Sequence, residues 1–132
     1  AKGFKGVTFD KTLQIGLHQI RYEPSSSSAS YSSPPWLHRD DEPLVFVHLF
    51  DVSPELEGGD NVIAESVSVI NGVFKLRQPL ETLVLSKKIL HAVTPMGTGP
   101  TGKESRDILL VTFMNKKEEL KTEEKPGLKL VK

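Results

Sequence analysis

The sequence has no cysteine, which removes disulfide frameworks and thiolate sites together and leaves the redox compartment unmarked. It has no excess of charge either. Lysine plus arginine and aspartate plus glutamate number 17 each, a balance that argues against bulk nucleic acid or an anionic membrane surface as partner. No apolar run approaches the roughly 20 residues needed to span a bilayer, and the opening "AKGFKGVTFD" lacks a signal-peptide core. These absences predict a soluble, cytoplasmic protein that binds neither nucleic acid nor membrane. The 132 residues suffice for one domain, 1–132, with a single core. The chain opens without methionine, as a shortened form would.

Strand signals dominate what is present, and no segment sustains a helical period. "LQIGLHQIRY" (13–22) alternates, placing Leu13, Ile15 and Leu17 on one face with Gln19 and Arg21. That face is expected to run from the core into a site. "LVFVHLF" (44–50) is apolar on both faces apart from His48, which predicts a strand buried on both sides. Further strands are expected at 61–70, 73–77, 82–86, 89–93 and 107–113, with turns at "EGGDN", at Asn71-Gly72 and at "GTGPTGK". Many short strands with regular turn punctuation read as a sandwich or barrel. The Ser-rich stretch 23–35 is placed like a flexible lid, 97–105 reads as a second mobile loop, and 115–132 as a solvated charged tail.

The chemistry is concentrated in "PPWLHRDDEPLVFVHLF" (34–50). Imidazole and carboxylate are costly at the edge of a core unless something pairs with them. In extended backbone His38 and Asp40, two positions apart, point the same way while Arg39 faces elsewhere. A third ligand comes from His91, in "KILHAVTP" at the end of a strand signal. Two histidines and one carboxylate suit a facial non-haem Fe(II) site, and zinc would bind them as well. The discriminating residue is Arg106, at the head of "DILLVTF" on one face with Ile108, Leu110 and Thr112. A guanidinium at the mouth of an apolar strand needs a planar anion, and a dicarboxylate co-substrate supplies one in bidentate geometry. Thr112 would add a hydroxyl donor.

The blocks "GLHQIRY", "HRDDEPLVFVHLF", "LEGGDNVI", "PLETLVLSKKILHAVTPM" and "RDILLVTF" resemble, in order and spacing, the iron(II)/2-oxoglutarate-dependent dioxygenases. The likeness is to the small bacterial branch resembling L-isoleucine 4-hydroxylase and other free amino-acid hydroxylases, and it runs from Leu13 to Phe113. It implies an all-β double-stranded β-helix, or jelly roll, with few or no helices. It implies Fe(II) on His38, Asp40 and His91, with Arg106 clamping the far carboxylate of 2-oxoglutarate. It further implies consumption of O2, release of succinate and CO2, and hydroxylation of a C–H bond in a small polar substrate, a free amino acid in the branch's manner. Two departures stand out. Related sequences carry Pro-Glu-Gly before the histidine and Gly after the aspartate, where this chain has Pro35-Trp36-Leu37 and Asp41. The family is also longer at its N-terminus.

Blander roles compete at each position. His18 and His48 read as structural, and Gly58 and Gly59 as turn geometry. Arg106 alone would be an ion pair with Asp107 or Glu104. Gln19, Arg21 and Trp36 are the candidate substrate contacts. Two rivals to the dioxygenase are a cupin-like metalloenzyme that does not use 2-oxoglutarate and a non-catalytic jelly-roll binding module.

Overall fold

In the computed structural model, residues 12–115 are described; the expected charged tail lies outside them from residue 116 onward. Nine strands follow in chain order: β1 Leu13–Tyr22, β2 Leu44–Val52, β3 Glu57–Gly58, β4 Asn61–Ser66, β5 Val69–Phe74, β6 Thr82–Ser86, β7 Leu90–Val93, β8 Met96–Gly97 and β9 Arg106–Asn115. Among the described residues there is no helix. A four-stranded sheet has the order β1-β9-β2-β6, a three-stranded sheet the order β5-β4-β7, and β3 pairs with β8. Every pairing is antiparallel. The fold is a jelly roll, as expected.

The core forms on the inner face of the larger sheet. Val45, Val47 and Leu49 of β2, Leu85 of β6 and Ile108 of β9 cluster with Leu76, and Ile63 of β4 packs against them from the smaller sheet. Alternation along each strand explains the selection, because the side-chain period of two sends every second residue inward. β2 is therefore one-sided rather than buried on both faces: Phe46 and His48 are half-buried on the outside and Phe50 is 45% exposed.

β1 corrects the expectation most. The face carrying Leu13, Ile15 and Leu17 points outward, with Leu17 68% exposed, whereas Ile20 and Tyr22 pack on the core. Register forces this result. Tyr22 lies opposite Arg106 and Ile20 opposite Ile108, so the inward residues of β9 select the even-numbered face of β1.

The stretch 61–70 is not one strand, since β4 and β5 are joined by a turn at Val67 and Ser68. Asn71-Gly72 makes no turn. Ile63 pairs with Gly72 and Ala64 with Ile70, which leaves Asn71 as the extra residue of a bulge. β5 consequently ends at Phe74, short of the expected strand 73–77, although Leu76 still reaches the core. Gly58 and Gly59 take the positive φ values, 70° and 72°, that glycine allows, but no turn forms there: Gly58 belongs to β3. Both expected loops are pinned. Ser30 and Met96 exchange backbone hydrogen bonds of 2.9 Å, while buried Glu104 accepts from the Thr101 amide and hydroxyl.

Replacing Leu49, which is wholly buried, with alanine is expected to lower the unfolding free energy by about 2–5 kcal/mol in urea denaturation.

Candidate metal centre and co-substrate cavity

His38 and His91 are joined by a two-way backbone pair. The His38 amide donates to the His91 carbonyl at 3.1 Å, and the His91 amide to the His38 carbonyl at 3.0 Å. This isolated bridge ties the segment before β2 to β7 and brings the two imidazole centroids to 4.3 Å. Each Nδ1 faces a main-chain carbonyl two residues earlier: His38 to Trp36 at 2.7 Å and His91 to Ile89 at 3.4 Å. A carbonyl only accepts, so Nδ1 carries the proton in both rings and both Nε2 lone pairs are left for a ligand.

Asp40 lies between the two Nε2 atoms. One carboxylate oxygen is 3.5 Å from His38 and the other 3.4 Å from His91. Two donor atoms each about 2.1 Å from an ion, with 90–109° between them, lie roughly 3.0–3.4 Å apart. The three side chains therefore fit one divalent ion, octahedral or tetrahedral, and all their donor atoms lie within 4.8 Å of one another. Burial holds the His91 imidazole below its ordinary 6.5, against the pull of the Asp40 carboxylate. That favours the neutral, ligating form.

The same three residues line a cavity of about 110 Å³ between the sheets, and Arg106 lines it too. Arg106 is 2% exposed, and neither terminal guanidinium nitrogen has a hydrogen-bond partner. Its expected ion-pair partners are otherwise engaged. Asp107 takes a bidentate pair from Arg21 at 2.7 and 2.8 Å on the outer face, and Glu104 is held by Thr101. The guanidinium carbon instead sits 5.9 Å from the centre of the Tyr22 ring. Burial lowers the Arg106 pKa from its ordinary 12.5 and raises that of Tyr22, yet an arginine remains charged in a protein. A buried, unpaired cation of this kind costs stability unless an anion completes it.

Other candidates are placed elsewhere. Arg21 points outward to Asp107, and Trp36 is 54% exposed, joined to the centre only through its carbonyl. Gln19 and Thr112 line a second, open cavity next to the first, together with His18. Tyr22 and Asn61 line the first cavity and were missed. The signal for Tyr22 was the even-numbered face of β1. Asn61 was hidden in a stretch that reads as turn.

A family model described as 2OG-Fe dioxygenase matches residues 1–112. The chain belongs to the 2OG-Fe dioxygenase family. It is 53% identical over 115 residues to L-isoleucine-4-hydroxylase of Bacillus thuringiensis, covering 86% of this chain and 48% of that protein. It is 45% identical over 108 residues to 3(1)-hydroxy-L-isoleucine 4-dioxygenase of Pantoea ananatis, covering 81% and 44%. The chain thus spans just under half the length of these curated relatives. A crystal structure of IDO from Bacillus thuringiensis superposes with a TM-score of 0.76 at 55% identity, covering 79% of this chain and 49% of that one. A bsmA homolog from Methylobium petroleophilum, at 24% identity and a TM-score of 0.68 over 76% of this chain and 40% of that one, shares the fold. The 2OG-Fe dioxygenase family uses Fe(II), 2-oxoglutarate and O2, and the His-Asp-His group beside a buried arginine suits that set.

Two outcomes are expected. Asp40→Asn lowers Co(II) affinity, measured by spectroscopic titration, by more than the roughly 10–100-fold that loss of an outer-sphere partner costs. Arg106→Leu raises the stability of the ligand-free protein by about 1–3 kcal/mol in urea unfolding, since it removes the unsatisfied buried charge.

Proposed function

We propose that this chain carries the iron and co-substrate sites of a dioxygenase that hydroxylates a C–H bond of a free amino acid, converting 2-oxoglutarate and O2 to succinate and CO2. The observation that carries the reading is Arg106, a buried guanidinium with two unpartnered nitrogens in the cavity that His38, Asp40 and His91 also line. In this reading the two imidazoles and Asp40 hold the metal, and Arg106 pairs with the distal carboxylate of 2-oxoglutarate. The rival metalloenzyme without 2-oxoglutarate has no use for that charge. A cytoplasmic setting agrees with the reading, because 2-oxoglutarate and free amino acids are abundant there.

When bound, Fe(II) with 2-oxoglutarate supplies the oxidising power for C–H hydroxylation. The chain's own residues do the rest. Nδ1–H donation to the Trp36 and Ile89 carbonyls keeps both rings in the ligating tautomer. Val47, Leu83, Leu85 and Ile108 give the cavity apolar walls, which exclude water and strengthen the pairing of Arg106 with a carboxylate. Tyr22 holds the guanidinium from one side.

Anaerobic titration with Fe(II) and 2-oxoglutarate is expected to give the weak visible charge-transfer band of the chelate. Arg106→Ala should raise the 2-oxoglutarate concentration required by roughly ten-fold or more, the value of a charged bidentate contact. Iron binding with no band would sink the reading in favour of a metal-binding module.

A further inference from the structure

The second cavity, of about 400 Å³, adjoins the first, and the two share Asp40, Val45 and Leu110 in their walls. An occupant of the second cavity would therefore lie beside the metal centre without displacing a co-substrate on Arg106. Its wall is aliphatic where Ile20, Val45 and Leu110 line it, and polar where Glu42, His18 and Thr112 do. Glu42 is half-buried, and no cation among the described residues pairs with its carboxylate. An anion beside an apolar wall with no counter-charge from the described residues is able to pair with a ligand cation.

The opposite charge has a place as well. β1 carries no side chain at Gly16, where an added Cβ would stand 2.5 Å from the Thr112 hydroxyl and 3.1 Å from His18 Nε2. Gly16 pairs directly with Thr112 across the β1–β9 ladder. Two groups able to donate a hydrogen bond thus converge on a notch that the glycine leaves open.

Resting on the dioxygenase reading above, we propose that this cavity is the primary-substrate site for an aliphatic amino acid. Glu42 takes the α-ammonium, Thr112 and His18 take the carboxylate, and the hydrocarbon side chain lies on Ile20, Val45 and Leu110 towards Asp40. Glu42 is then the specificity-determining residue that separates an amino acid from a simple carboxylic acid.

The test is calorimetric titration of the full chain loaded with Mn(II) and 2-oxoglutarate, which binds without turnover, using L-isoleucine and its des-amino analogue 3-methylpentanoic acid. Glu42→Gln is expected to weaken isoleucine binding by roughly ten-fold or more. The same variant should leave 3-methylpentanoic acid within about two-fold of the unmodified chain, because the lost partner is the ammonium. Thr112→Val should weaken both ligands. The Fe(II)/2-oxoglutarate band of each variant reports that fold and co-substrate site are intact. If Glu42→Gln binds isoleucine as tightly as the unmodified chain, the assignment of Glu42 is overturned while the dioxygenase reading stands. If the band forms but the unmodified chain binds no aliphatic amino acid, both this assignment and the amino-acid reading fall, and the co-substrate assignment survives.

Discussion

Everything at the centre depends on β9 being hydrogen-bonded along both edges. It pairs with β1 over ten residue positions and with β2 on its other side. This double ladder sets which residues of three strands face inward. It puts Arg106 beside Tyr22, Ile108 beside Leu49 and Ile20, and Thr112 beside Gly16. A slip of one residue would turn Arg106 to solvent and Asp107 into the core. The outward Arg21–Asp107 pair works against that slip, because a bidentate link across the ladder satisfies Asp107 only in the observed register. Burial of one arginine and exposure of another are thus two results of one register.

The interior keeps a charge that folding alone does not justify. A leucine would fill the position of Arg106 with less desolvation; of the neighbouring acids, Asp107 is paired with Arg21, and Glu104 accepts from Thr101 through one of its oxygens. Natural chains retain such groups where a ligand completes them. The metal group differs in kind. Its two imidazoles are already satisfied at Nδ1 and held by a backbone bridge, so it is organised before any ion arrives. The His-Asp-His group could take an ion with little rearrangement, whereas Arg106 is a buried charge whose terminal nitrogens have no partner.

Much of this was legible in the sequence where short-range geometry governs. The one-residue spacing of His38 and Asp40, the placement of His91 at a strand end and the head-of-strand position of Arg106 are local features, and the structure brings all four residues to one cavity. What failed was anything decided by a partner strand. The face of β1 carrying three apolar residues looked like the inner one, yet the choice belongs to β9. Asn71-Gly72 has the composition of a hairpin turn, but the pairing of β4 with β5 makes it a bulge. Tyr22 was overlooked for the same reason, and so was the placement of Thr112 in a different cavity from Arg106. Composition also read the serine stretch as loose, because two backbone hydrogen bonds to Met96 leave no mark on the sequence.

Gly58, at the end of β3, carries a lesson for mapping this protein by mutation. A Cβ there would sit 1.8 Å from the Pro95 carbonyl oxygen, a main-chain atom that has nowhere to go. Gly58 pairs with Met96, Met96 bridges to Ser30, and the chain beyond Ser30 supplies Ser32 and Ser33 to the cavity that His38, Asp40 and His91 line. Any side chain at 58 therefore presses on β8 and, through the Met96–Ser30 bridge, on the rim of that cavity, without touching an ion or a substrate. A screen scored on turnover alone would rank this glycine with His38. Scoring protein abundance beside turnover separates the residue that shapes the vessel from the one that holds its contents.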